Sequence, residues 1–264
     1  MSEQKGREAF LRLLDWTLLE ERATAGELPA AGRQAFLDYY VSLPDPADEA
    51  ALRRYRRGTW RSEAGWVARW IARRRGQGRP VRLLDAGAGF GTHAMLFAAA
   101  GAEVVAADLR ADRLEVAAAR VAACRARLGL PLEVRCTDAD LTQPWDSAYD
   151  LVWVYNAISH IDPPEGFLAE ARSHLAPGGV LVIGTPDYGR IWWPLIEFCY
   201  KLLLPNAYGD EHITHYTLAK LLSLPSGEVE DAAMAGLLHD VGMRELDYDR
   251  LYRHRAPSSE DRRT

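Results

Sequence analysis

"VRLLDAGAGFGTHAMLF", residues 81–97, decides how the rest of the chain is read. An apolar run enters Asp85, and glycines follow at alternate positions, Gly87, Gly89 and Gly91, before a helical stretch. A strand, a tight glycine turn and a helix start have the shape of a nucleotide-binding loop, because glycine lets backbone approach a ligand closely. A dinucleotide loop of the form G-x-G-x-x-G needs glycine at position 92, where Thr92 stands. A kinase or ATPase loop needs Gly-Lys-Ser/Thr, which is absent. What remains is D-x-G-x-G-x-G at a strand end. An acid closes the next apolar run: Asp108, 21 residues after Gly87, is placed to accept both hydroxyls of a ribose.

Outward from this loop, strands alternate with helices. "AEVVAAD", "PLEVRCTD", "YDLVWVYN" and "VLVIGTP" read as strands. "RADRLEVAAARVAACRARLG" and "GFLAEARSHLA" read as helices between them, and "PGG" (177–179) as the turn into the last strand. Such alternation implies crossover connections, hence an α/β, doubly wound, mainly parallel sheet. Residues 1–75 read as an N-terminal helical cap, with Phe10, Leu13, Leu14 and Leu18 near helical spacing and Trp66, Val67 and Trp70 on one side of a later helix. We expect a single domain over 1–264, made of the cap, a ligand-binding core over 81–185 and a lid-like insertion over 188–216.

The 264 residues carry a net charge of −5, which disfavours a general nucleic-acid grip. Against that background, eleven arginines between Arg53 and Arg82 face one acid, Glu63. They read either as a solvated helix face or as a patch for anionic headgroups or a phosphorylated acceptor. Cys124, Cys136 and Cys199 have neither disulfide-framework nor metal-site spacing, and a polar N-terminus lacks a secretory core. A cytoplasmic protein is expected. The most apolar run, "IWWPLIEFCYKLLLP" (191–205), is broken by Glu197 and Lys201 and is shorter than the ~20 residues a bilayer needs.

With these motifs in order, residues 60–250 resemble the class I S-adenosylmethionine-dependent methyltransferases. "LLDAGAGFG" is similar to the family's first motif and "VVAADL" to its second. "CTDADL" resembles the segment that reaches the adenine, and "YDLVWVYNAISHI" the fourth strand. From "NAISHI" through "DEHITHYT" the chain most resembles the ubiquinone-biosynthesis O-methyltransferases and related small-molecule enzymes. The resemblance implies a seven-stranded, Rossmann-like sheet with S-adenosylmethionine as cofactor. Asp85, Gly87, Gly89 and Gly91 would face its methionine part, Asp108 the ribose and Leu109 the adenine. Asp138 and the backbone of Ala139 would reach the adenine amino group, and Asn156 would stand near the sulfonium. Little chain follows "HDVGMRELDYDRLYRH" for the family's final hairpin, so we expect either that the last two strands are short or that the seventh is missing or displaced.

Methyl transfer from a sulfonium needs alignment and exclusion of water, and an acceptor hydroxyl must also lose its proton. His160 is the candidate base and otherwise caps a turn; the residue before it, commonly glutamate in that group, is Ser159. His212 and His215, beside Asp210 and Glu211, have a spacing open to a metal, but we read them as a polar hinge into the next helix and expect no metal. Tyr188, Trp192, His212, His215 and Tyr216 are the candidate acceptor-pocket residues. The segment 188–209 is a core helix, a lid over an apolar acceptor, or a peripheral membrane contact. The expected reaction is O-methylation of a small, largely apolar metabolite. Sugar, amine and carbon acceptors remain alternatives, as do a protein or nucleic-acid methyltransferase and a silent homologue. "NAIS" in place of Asn/Asp-Pro-Pro-Tyr/Phe counts against methylation of nucleic-acid bases. Oligomeric state is not legible.

Overall fold

The computed structural model describes residues 2–40, 43–185 and 235–238. Four helices precede the sheet: α1 (Glu3–Leu19), α2 (Ala30–Tyr40), α3 (Glu49–Arg61) and α4 (Glu63–Gly76), with a 3₁₀ turn over Glu21–Glu27. Two of these starts are capped by side chains. Ser2 accepts from the Lys5 N–H at 3.3 Å, and Asp48 accepts from the Ala51 N–H at 2.9 Å. The periodicity read in α1 is its buried face, since Phe10, Leu13, Leu14 and Leu18 are all buried.

The α/β core then alternates: β1 (Arg82–Ala86), α5 (Thr92–Ala99), β2 (Glu103–Asp108), α6 (Ala111–Leu128), β3 (Glu133–Asp138), β4 (Tyr149–Tyr155), α7 (Pro164–His174), β5 (Leu175–Thr185) and β6 (Ala235–Leu238). The described strands form one sheet in the order β3-β2-β1-β4-β5-β6, every pair parallel. A seventh strand is not among the described residues.

Strand side chains alternate between two cores, as the pleat requires. Leu83, Val104, Ala106, Leu151, Trp153 and Val182 pack with α1, α4, α5 and α6. Leu84, Ala86, Ala107, Val152, Val154 and Ile183 pack on the other face, with Phe167 and Ala171 of α7. The sheet is therefore covered on both faces. Runs such as "LVWV" are continuously apolar because a strand buried on both sides has no wet face.

One expectation needed revision. "PGG" is not a turn before β5 but a bulge inside it: Tyr149 pairs with Leu175, yet Leu151 pairs with Val180. The excess is absorbed at Gly178 (φ +69) and at Gly179, where a Cβ would stand 2.8 Å from the Ala176 carbonyl.

The arginine run divides. Arg56 pairs with Asp15 at 2.8 Å, and Arg69 donates to the Trp60 carbonyl at 2.7 Å. Arg74 packs over the Trp70 ring and donates to Asp150 and the Gly178 carbonyl. These brace the fold, whereas Arg53, Arg54, Arg57 and Arg61 on α3 are exposed. No described helix is long and apolar enough to cross a membrane. Cys124 is buried, with its thiol pushed up to about 12 by that burial, and Cys136 is half-buried; Cys199 lies outside the described residues.

Candidate functional site

In an open α/β sheet, ligands bind beyond the carboxyl ends of the strands, where the strand order reverses. Here the order reverses at β1, which has β2 on one side and β4 on the other. The glycine loop leaves at that point. Its path is set by backbone: the Gly87 and Ala88 N–H groups both donate to the Ala107 carbonyl, at 2.8 and 2.9 Å.

Gly87 and Gly91 cannot be replaced for two reasons each. Both have positive φ, +74 and +73. A Cβ on Gly87 would lie 2.3 Å from the Ala157 Cβ after β4, and one on Gly91 would lie 2.9 Å from the Ala117 Cβ of α6. Gly89 differs: nothing lies within 4 Å of where its Cβ would be, so the middle of the loop faces open space.

Two carboxylates lie under this loop. Asp108 is 8% exposed; its Oδ2 accepts from the Gly89 N–H at 2.7 Å and its Oδ1 from the Arg110 N–H at 2.9 Å. Each oxygen keeps a further lone pair, so the group can still accept two hydroxyls. Asp85 is 2% exposed and its Oδ2 has no hydrogen-bond partner. Burial pushes its carboxyl up to about 7, the backbone N–H of Ala94 pulls it down, and the charge of Asp108 raises it again. A buried carboxylate oxygen without a partner, beside a loop open at Gly89, fits a ligand that brings its own donor, such as the ammonium of a methionine moiety.

The remaining candidates follow along the same edge. Leu109 is 65% exposed, a large apolar side chain left uncovered just past β2. Asp138, exposed, is in register with Asp108 across β2 and β3. The Ala139 N–H donates to the Asp108 carbonyl at 3.2 Å, tying the end of β3 to that of β2. Asn156 has φ +52, the only non-glycine residue with positive φ among the described residues, and its N–H donates to the Gly184 carbonyl at 2.7 Å. His160 is exposed at the end of a 3₁₀ turn (Ile158–His160), its N–H donating to the Ala157 carbonyl at 2.9 Å. Tyr188, Trp192, His212, His215 and Tyr216 lie outside the described residues. No cluster able to hold a metal occurs among the described residues.

The structure adds residues that sequence reasoning passed over. His93, in the first turn of α5, has its ring 4.9 Å from Tyr155 and 5.1 Å from Trp153. Tyr155 leans over Gly184, where a Cβ would meet the ring at 2.3 Å. Phe90 of the glycine loop lies against Phe36 and Tyr39 of α2, at 5.4 and 6.2 Å. Arg120 reaches the same loop from α6.

Part of the chain is similar to known proteins. Residues 84–181 match a family model described as a methyltransferase domain. A ubiquinone biosynthesis O-methyltransferase of Parvibaculum lavamentivorans is 31% identical over 105 residues, 40% of this chain and 40% of that protein. The chain thus spans well under half the length of the curated relatives it matches. Among solved structures, magnesium protoporphyrin IX methyltransferase from Synechocystis, with bound S-adenosylhomocysteine, is 16% identical. It aligns over 71% of this chain and 85% of its own, with a TM-score of 0.44. An amino pentose methyltransferase from Micromonospora echinaspora is 30% identical over 57% and 61% of the two chains, with a TM-score of 0.40. Residues 84–181 are therefore similar to a methyltransferase domain.

Proposed function

We infer that the chain transfers a methyl group from S-adenosylmethionine to a small, largely apolar acceptor, with oxygen as the receiving atom. The observation that carries this is the pair of buried carboxylates beneath the glycine loop, one with an oxygen lacking a partner, and the uncovered Leu109 beside them. When bound, the cofactor supplies a methyl group already activated by its sulfonium. Asp108 holds the ribose hydroxyls with its remaining lone pairs, and Asp85 meets the ammonium. Leu109 covers one adenine face, and Asp138 accepts from the adenine amino group. Asn156, fixed at the end of β4, stands by the sulfonium. His160, four residues on, takes the proton that an acceptor hydroxyl must lose.

Oxygen is favoured as acceptor atom because the matched relative is named for O-methylation. The acceptor side falls to the insertion, 188–216, and an apolar acceptor is read from its sequence alone. The test is transfer of a labelled methyl group from S-adenosylmethionine across a panel of phenols, sugars and amines. Transfer to phenols above the others supports the reading; transfer to amines or sugars alone overturns the acceptor atom while keeping the cofactor.

A further inference from the structure

One charge lies where a helix should be apolar. Arg120 shares the inner face of α6 with Val116, Ala117, Val121 and Cys124, and it is 0% exposed. Its guanidinium forks onto Glu21 of the N-terminal 3₁₀ turn, Nε to Oε1 at 2.6 Å and Nη2 to Oε2 at 2.8 Å, and Glu21 is itself 1% exposed. Nη1 points the other way. It donates to the Phe90 carbonyl and, at 2.9 Å, to Thr92 Oγ1. The Phe36 ring of α2 lies 4.7 Å from its Cζ. Three separate segments therefore converge on one guanidinium, and one of them is the glycine loop.

Stability does not explain this arrangement well. Desolvating two charges is costly, and even good geometry often does no more than offset that cost relative to apolar packing. What the fork supplies is direction: a planar set of donors fixes two partners at once, which an apolar side chain or a lysine cannot do. The partners on the loop side, Phe90 and Thr92, flank Gly91, at the point where α6 already presses on the loop through Ala117. Gly89, at the open middle of the loop, is held through its N–H by Asp108. The loop is thus anchored at its middle by Asp108 and at its exit by Arg120.

We propose that Arg120 and Glu21 are positioning residues for the glycine loop, by which the N-terminal segment, outside the matched 84–181 domain, contributes to cofactor binding without touching the cofactor. This rests on the reading of that loop as the S-adenosylmethionine site. A brace that served stability alone would lower the melting temperature and leave affinity unaltered.

Three variants of the full chain separate these. Arg120→Lys keeps a charge for Glu21 but loses the fork. Glu21→Gln removes the N-terminal anchor while leaving its shape. Thr92→Val removes one acceptor from the loop and leaves the ion pair whole, so it decides the matter if Arg120→Lys does not fold. Two readouts are compared with wild type: the Kd for S-adenosylhomocysteine by calorimetry, and hydrogen exchange of a peptide spanning 87–92 against one spanning 133–138. Arg120→Lys is expected to raise the Kd ~10-fold or more, because small misplacements of a positioning loop have large effects. The other two shift it in the same direction by less, and loop exchange quickens in all three while the 133–138 peptide is unchanged. Folded variants with wild-type Kd and wild-type loop exchange overturn the proposal. If wild type itself does not bind S-adenosylhomocysteine, the cofactor reading fails, and loop exchange, which needs no ligand, still judges the anchor.

Discussion

The two edges of the sheet treat their acids in opposite ways. At the amino-terminal edge, Asp150 has both oxygens engaged: Oδ1 accepts from Arg74 at 3.2 Å and Oδ2 from the Arg82 N–H at 2.9 Å. Arg74 also donates to the Gly178 carbonyl at 2.6 Å, closing the β5 bulge against α4. At the carboxyl edge, Asp85 is more deeply buried, keeps one oxygen without a partner and has its carboxyl pushed up to about 7. Nearby, Asn156 holds positive φ and Leu109 stands uncovered. The first edge is a finished piece of structure. The second carries costs that the protein alone does not recover, and such costs concentrate where a ligand completes the site.

The strongest test of that contrast is chemical. His160→Ala should lower kcat by ~10²–10⁴ with cofactor affinity unchanged, as expected for loss of a general base. Steady-state kinetics beside calorimetry measure both. Unaltered turnover would assign proton removal to another group or to none.

A second test uses pH. An unfolded aspartate titrates near ~3.9, whereas folded Asp85 titrates at about 7. Between these values the folded chain holds a proton that the unfolded chain has lost. Stability without ligand should therefore fall as pH rises through that window, with the penalty fully present above it, on the order of a few kcal/mol. Asp85→Asn should flatten the dependence and raise the melting temperature at pH 8, yet weaken S-adenosylhomocysteine. The wild type should release a proton on binding near pH 6.5, seen as a buffer-dependent heat. A melting temperature that rises from pH 5 to pH 8 would contradict this.

The opposite edge should behave in reverse. Arg74→Ala should cost stability, ~1.5–3 kcal/mol for a hydrogen bond to a charged group, and leave the ligand Kd alone. Chemical denaturation with parallel calorimetry checks both halves. Smallest of all, Leu195→Ser with Ile196→Ser should raise KM for apolar acceptors a few-fold and spare the cofactor; an unaltered KM would remove the main support for an apolar acceptor.

Much of this layout was legible in the sequence for definite physical reasons. Strand positions showed because strands covered on both faces are continuously apolar, and the loop showed because positive φ and close approach leave glycine as the residue that fits. What was missed depends on distance across the fold. Nothing local marks "PGG" as a bulge, since its register is set by Tyr149 and Leu151 on another strand. Arg120 did leave a signal: it falls in helical phase with Val116, Ala117 and Cys124, a charge on an apolar face. Its partners, Glu21 and Phe90, lie 99 and 30 residues away, so the meaning of that signal required the fold.

If the carboxyl edge of β1 and β2 is an S-adenosylmethionine site completed by its ligand, one titration shows it directly. Calorimetry of the full chain with S-adenosylhomocysteine should give a Kd of ~10⁻⁶ M, about −8 kcal/mol. Asp108→Ala should weaken it by ~1.5–3 kcal/mol for each ribose hydrogen bond lost. Binding of NAD in place of S-adenosylhomocysteine, or S-adenosylhomocysteine affinity indifferent to Asp108, would contradict the account.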